Sequence, residues 1–551
     1  MRNPASLLPF AFALVLAAAA SCSSNDSVGS SNGAGAGSAS TEGAGAGSGT
    51  STNSATSTNS GTSTNSGTST NSGTSTSSGP TSTGASMGAG GGAGSLGGPF
   101  GRGVNFGYVP GFSDTDMATL AQAVGCNGSR ESLPESFLAQ WGATIRVPEN
   151  MNYQAMGMGS NVCFLSGPTA DHSTAPNPAT DDLDFYIPKN LHDDIWNPDG
   201  TVNPTNYWAV YVQEVVSTYK DYIKVWSVWN EPDWVSDWTV TQTWGTTPPT
   251  AAQLPRFNGS IYDYVRMLRI TTEVAKKVDP DAKIAVGGLG YSGFLDAILR
   301  YTDNPTDGSV DADHPQKGDA YFDVLDIHYY PIYSPSNSDD GVDGFVAEIG
   351  DFQQSLTGGG ASPKTWIVTE SGAPHASTPG NPGGTDYAKD YLLKVMTTAN
   401  AQGISRVDWF DLTDGDDTSS DPYQSMGLYL SIDGLTSTSQ AMKSPSGTAY
   451  TAFGSSLPTA RYDAAETAAL ALPAGVRGAA FRQTDDVSGK RAYVLWARSA
   501  AGGETGGASL TLPVQGSVHQ IEWDGTSTAL TPSGGGVAVT LEGTPRIFLE
   551  D

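Results

Sequence analysis

Two glutamates stand out because each closes a short apolar run. In Val225-Trp226-Ser227-Val228-Trp229-Asn230-Glu231-Pro232, the β-branched and aromatic residues read as a buried strand. The run stops at an amide, a carboxylate and a proline that cannot donate to a sheet ladder. Trp366-Ile367-Val368-Thr369-Glu370-Ser371-Gly372 repeats the design: an apolar strand, a carboxylate, a glycine. One such carboxylate alone is most simply a solvated loop residue. Two in one chain match what cleavage of a glycosidic bond requires, one carboxyl as acid and base and the other as nucleophile.

Both glutamates must then reach one site from the C-terminal tips of buried strands, which is how a (β/α)8 barrel builds its active mouth. The flanking chain supplies matching elements. Gly103-Val104-Asn105-Phe106-Gly107 reads as strand one and Ala143 to Pro148 as strand two, with Arg146 near its end. Strand three is placed near Leu183 to Pro188, inside a long stretch rich in Asn, Asp, Pro and Gly. Tyr207 to Tyr219 reads as a helix leading into strand four. Ile261, Tyr264, Val265, Leu268 and Ala275 share one helical face, and Lys283 to Gly287 reads as strand five. Asp323 to Tyr330 is strand six, and Ile404 to Phe410 is strand eight. By alternation His328 and Tyr330 share a face of strand six.

Asn230-Glu231-Pro232 and Glu370, with Asp326-Ile327-His328-Tyr329-Tyr330 and Val407-Asp408-Trp409-Phe410, resemble the clan of retaining glycoside hydrolases built on (β/α)8 barrels. The resemblance is greatest to family 39, the β-xylosidase and exopolysaccharide-hydrolase type, with family 5 next, and covers residues 100 to 551. It implies Glu231 as acid/base and Glu370 as nucleophile, with no metal or organic cofactor. It further implies that Asn230 holds the sugar 2-hydroxyl, Arg146 supports the nucleophile, His328 and Tyr330 touch sugar and nucleophile, and Trp409 floors the first subsite. The Glu370 anion is expected to raise the pKa of Glu231 and keep it protonated. Trp234, Trp238 and Trp244 suit either stacking on sugar rings or packing on the rim.

Composition sets the remaining bounds. The 551 residues carry a net charge of −29, which argues against nucleic acid as a partner. Residues 1–22 read as a targeting segment, with Arg2 before an apolar core too short to span a bilayer. Ala19-Ala20-Ser21-Cys22 resembles a lipoprotein cleavage box, making Cys22 a lipidation candidate and a lipid anchor the sole membrane contact expected. Residues 23–97 are a Ser/Thr/Gly/Asn-rich tether with a six-residue repeat from Ser57. No apolar residue recurs in it to offset the entropy of ordering, and its reach as a random coil is about 45–50 Å. Residues 98–461 form the expected barrel. Residues 462–551 have the short strands and glycine-rich turns of a β-sandwich, with a carbohydrate-binding module as the rival reading.

In an exported chain Cys126 and Cys163 form an even pair and are expected to be disulfide-bonded. Asp411, Asp414, Asp416 and Asp417 read as a solvated acidic loop rather than a calcium site. The six histidines are scattered without metal-ligand spacing, which disfavours a metal-dependent hydrolase. The alternative to a monomeric enzyme acting on a carbohydrate is a surface carbohydrate-binding protein on an inactive barrel.

Overall fold

The computed structural model describes residues 99–332, 335–483 and 489–551. The targeting segment, Cys22 and the repeat tether lie outside the described residues. Eight parallel strands close into a barrel: β1 Gly101–Asn105, β2 Gly128–Ser132, β3 Asn161–Leu165, β4 Ile223–Val228, β5 Lys283–Val286, β6 Val324–Tyr329, β7 Thr365–Ser371 and β8 Arg406–Trp409. Strand β8 pairs with β1 to complete the circle. This is a (β/α)8 TIM barrel. No described helix is long and apolar enough to cross a membrane.

Local sequence explains the helices that cover it. Asn206 caps the helix Tyr207–Tyr219 by accepting from the Ala209 amide, and Trp208, Tyr211, Val212, Val215, Val216 and Tyr219 bury one face in the main hydrophobic core. Ser260 and Asp263 form a capping box that starts the helix Ile261–Val278. On β4, Trp226 and Val228 join the core between sheet and helices, while Val225 points into the barrel beside Val162, Ala285, Val324 and Ile367.

That apolar layer is one side of the barrel interior; elsewhere it is polar. Arg406 and Asp408 of β8 lie inside it, fully buried, with Arg406 Nε donating to Asp408 at 2.5 Å. The neighbouring strands make room by carrying no side chain there. A Cβ on Gly103 of β1 would fall 1.7 Å from an Asp408 oxygen.

Strands two and three are not where the sequence places them. Ala143 to Thr144 is a turn, and Pro148 sits in the first turn of a helix, Val147–Ala155, where its missing N–H costs nothing. Leu183–Phe185 is a single 3-10 turn in a long loop. The true β2, Gly-Ser-Arg-Glu-Ser, has no apolar residue.

Residues 460–551 form a six-stranded antiparallel sheet and a two-stranded one. The first runs β14-β13-β16-β11-β10-β9 and the second pairs β12 with β15. Here β9 is Ala460–Tyr462, β10 Val476–Gln483, β11 Arg491–Ala497, β12 Gly507–Leu512, β13 Val518–Ile521, β14 Ser527–Leu530, β15 Val537–Glu542 and β16 Arg546–Glu550. Tyr493, Leu495 and Phe548 from one sheet share a core with Leu512, Val539 and Leu541 from the other. This region packs on the barrel as one unit with it. Asp339, fully buried, receives the Trp496 indole at 2.9 Å, the Ser499 amide at 2.9 Å and Lys394 Nζ at 2.8 Å. Lys389 lies over the Trp523 ring. Trp496 and Trp523, the two tryptophans of residues 462–551, thus both engage barrel residues rather than standing free as a binding module's would.

Cys126 and Cys163 are free and buried, which corrects the expected disulfide. Cys126 lies on the loop before β2, bonded to Tyr450, and Cys163 faces outward from β3 toward Tyr211. Burial pushes the Cys126 thiol up to about 12. Both behave as small core residues, and the parity of their number carries no pairing.

Candidate active site

Glu370 lies within β7 itself, as its penultimate residue, and the β6–β7 register sets it beside His328. Its two oxygens are taken from opposite sides. Arg130 of β2 donates Nη1 to one in a buried ion pair, and the Tyr330 hydroxyl donates to the other at 2.7 Å. Arg130 also donates Nη2 to Asn230 at 2.6 Å, so one guanidinium ties the tips of β2, β4 and β7 together. Its plane lies 4.6 Å over the Phe164 ring. Such a planar, permanently charged fork holds a carboxylate in one orientation.

Glu231 is held differently. Strand β4 ends at Val228, and Trp229 and Glu231 both take left-handed backbone, with φ of 74° and 47°. For side chains of this size that conformation needs external support. The Trp229 indole supplies it by turning outward, donating to the Arg256 carbonyl at 2.7 Å and packing edge-on against Phe257. The Glu231 amide donates to the Gly287 carbonyl at 2.7 Å. The kink re-aims the carboxylate over the barrel axis, where it meets His328 Nδ1 at 3.0 Å and Arg256 Nη1 in an ion pair. His328 Nδ1 is 3.6 Å from Glu370, and the facing atoms of Glu231, His328 and Glu370 all lie within 4.8 Å of one another.

Beneath them runs a buried hydrogen-bonded chain. His328 Nε2 donates to the Thr369 hydroxyl at 3.0 Å, and that hydroxyl donates to Asp326 at 2.7 Å. This fixes the ring and turns Nδ1 toward Glu231. Burial opposes charge on His328, but the adjacent Glu370 and the bond to Glu231 more than offset it, and its pKa is raised. Burial likewise opposes charge on Glu231, yet His328 and Arg256 prevail and hold it below the usual carboxylate range. Both shifts favour a proton on His328 over one on Glu231, and the expectation of a raised Glu231 is corrected: its cationic neighbours lower it.

Of the predicted residues, Asn230, Glu231, His328, Tyr330 and Glu370 converge. Arg146 does not. It directly precedes the helix Val147–Ala155 and pairs with Asp114 and, at 3.2 Å, with Glu131, on the helix side of β2. The arginine at Glu370 is Arg130, masked by the polar character of β2. Trp409 is fully buried, its indole donating to the Met426 carbonyl at 2.7 Å, so it cannot floor a subsite. Phe410 and Tyr423 instead pack edge-on around Tyr330, with Tyr423 centred 4.9 Å from it. Trp244 is buried against Tyr291 and Phe294, whereas Trp234 is half-buried with Arg256 stacked 4.4 Å over its ring. Asp411 and Asp414 are also buried, not solvated; Asp414 meets His375 at 2.7 Å. Asn105, which accepts from Arg130 at 3.4 Å, and Thr369 had no sequence signal beyond their positions near strand ends, and Arg256, in the loop between β4 and β5, had none.

Comparison with solved structures finds the same architecture. A family 39 glycoside hydrolase from the gut symbiont Bacteroides cellulosilyticus superposes with a TM-score of 0.55 at 17% identity, covering 82% of this chain and 81% of that one. A conserved exported protein from Bacteroides fragilis gives 0.51 at 10% identity, over 82% and 96%. The catalytic domain of the family 30 xylanase C from Talaromyces cellulolyticus gives 0.50 at 13%, over 83% and 97%. The chain thus shares its fold with glycoside hydrolases. No family model matches the sequence, and no curated protein matches it.

Proposed function

We propose that this protein is an exported retaining glycoside hydrolase that cleaves a polysaccharide or oligosaccharide by double displacement. The observation that carries the reading is the facing of Glu231 and Glu370 across one barrel mouth, with oxygens within 4.8 Å. Retaining pairs stand about 5–5.5 Å apart and inverting pairs about 6.5–9.5 Å, because only the latter must admit a water. Glu370, held by Arg130 and Tyr330, attacks the anomeric carbon. Glu231 takes the proton from His328 across 3.0 Å and passes it to the leaving oxygen, then activates the water that releases the glycosyl-enzyme. Asn230, anchored by Arg130, is placed to bind the 2-hydroxyl.

In the same reading the chain is cleaved between Ser21 and Cys22 and Cys22 carries the lipid, residues 23–97 hold the enzyme away from a cell surface, and residues 462–551 are a small β-sandwich that braces the barrel. Hydrolysis of a panel of xylan, mannan, glucan and bacterial exopolysaccharides, with Glu370→Ala as control, tests the reading. It predicts release of reducing sugar by the wild type alone. A folded wild type inert on every member, yet retained on one of the polymers in affinity electrophoresis, would favour the carbohydrate-binding alternative.

A further inference from the structure

Charge accounting around the two glutamates leaves one group unexplained. Glu370 keeps Arg130 as counterion throughout. Glu231 must become neutral to act as an acid, and its proton comes from His328. At that moment Arg256 loses its partner. Arg256 has no second carboxylate within ion-pair distance among the described residues. Its side chain is only 13% exposed, and its Nε is buried without a hydrogen-bond partner. A guanidinium buried and unpaired is costly, so the active form of the site needs something else to satisfy it.

The guanidinium is also well fixed. It stacks over Trp234, and its own carbonyl holds the Trp229 indole at 2.7 Å, which ties it to the kink that aims Glu231. Among the described residues its one ion-pair partner is Glu231, the group that meets the leaving oxygen, and so it stands on the leaving-group side of the site. A neutral sugar offers hydroxyls, which exchange poorly for a carboxylate on a guanidinium. An anion exchanges well, and the fork accepts a carboxylate or a sulfate through two nitrogens.

Resting on the glycosidase reading, we propose that Arg256 recognises an anionic substituent, a carboxylate or a sulfate ester, on the leaving-group side of the substrate. Its binding draws Arg256 off Glu231 and lets the His328 proton move to that carboxyl. The anion satisfies Arg256 as the acid forms, so recognition and activation are one event. The acidic surface of the protein does not oppose this at close range, since exposed charges beyond about 8 Å are screened at physiological salt.

The test uses oligosaccharides with a uronate or a sulfated sugar on the leaving side, each with its carboxyl-reduced or desulfated twin. The wild type should favour the anionic member of one pair by about 100-fold or more in kcat/KM, since a buried polar group left unmatched rejects the analogue strongly. The uronate and sulfate arms identify which anion it is. Arg256→Gln should bring that ratio near unity, and Arg256→Lys should keep part of it. Melting curves of both variants confirm folding. Equal rates on both twins, or equal slowing of both in Arg256→Gln, would overturn the inference while leaving the glycosidase reading intact. A folded wild type that cleaves neither twin of any pair would overturn both.

Discussion

The tips of β4 and β7 present the same side chain in opposite settings. Glu370 lies inside its strand, where the register shifts against both neighbours, and is gripped by Arg130 of β2 and by Tyr330 just past the end of β6. Glu231 stands three residues past its strand, on left-handed backbone, between a histidine and a loop arginine. The difference follows the work proposed for each. A nucleophile needs one trajectory and one charge state, so a rigid fork on rigid elements serves it. An acid/base changes charge twice per turnover, so its partners must give up and take back a proton.

Breaking the β7 side should have the largest effect. Glu370→Ala should lower kcat by about 10^4-fold or more on every substrate, as loss of a nucleophile does elsewhere. Glu231→Ala should cost about 10^2–10^4-fold, least on aryl glycosides whose leaving group needs no proton, and azide should restore part of the rate. Initial rates on matched aryl and alkyl glycosides check both. If the two variants lose rate with the same leaving-group dependence, the division of labour between the tips is wrong.

Arg130→Lys sharpens the comparison from the outside. The charge remains but the fork does not, and misplacement of the nucleophile should cost about 100-fold in kcat, with melting little changed. Arg146→Lys should leave kcat alone and lower the melting temperature, because Arg146 links Asp114, Glu131 and Tyr153 on the helix side of β2. Reversal of these two outcomes would restore the sequence-based assignment.

What was legible in the sequence tracks what buries apolar surface. Strands β4 and β7, and the helices Tyr207–Tyr219 and Ile261–Val278, announce themselves because each must hide hydrophobic residues from water. Strand β2 does not. Its inward Arg130 is buried by ion pairing and its outward Glu131 by Arg146, so its burial leaves no hydrophobic trace. The stretch Ala143 to Pro148 mimicked a strand by composition, although Pro148 fits a first helical turn equally well. Arg256 was invisible for a different reason: a loop residue gains its role from where the chain returns, and local pattern carries no record of that.

The smallest expected effect concerns Asp233, two residues beyond Glu231 and buried, which accepts from the Gly290 and Tyr291 amides at 3.0 and 2.8 Å. Burial pushes its pKa up to about 7. A carboxyl that holds its proton more tightly in the native state than in the unfolded chain adds stability at low pH. It loses that contribution as pH rises from the ordinary carboxylate range through about 7. Asp233→Asn keeps an acceptor without the ionisation. Its melting temperature relative to wild type should therefore improve by about 2–4 °C between pH 5 and pH 8. No change in that difference would place the ionised Asp233 comfortably in the native site.

The most direct test of the account is the anomeric configuration of the first product, followed by proton NMR during the opening minutes of hydrolysis, before mutarotation. Attack by Glu370 followed by water on the same face predicts retention. An inverted first product would contradict the double displacement and the assignment of Glu370 as nucleophile.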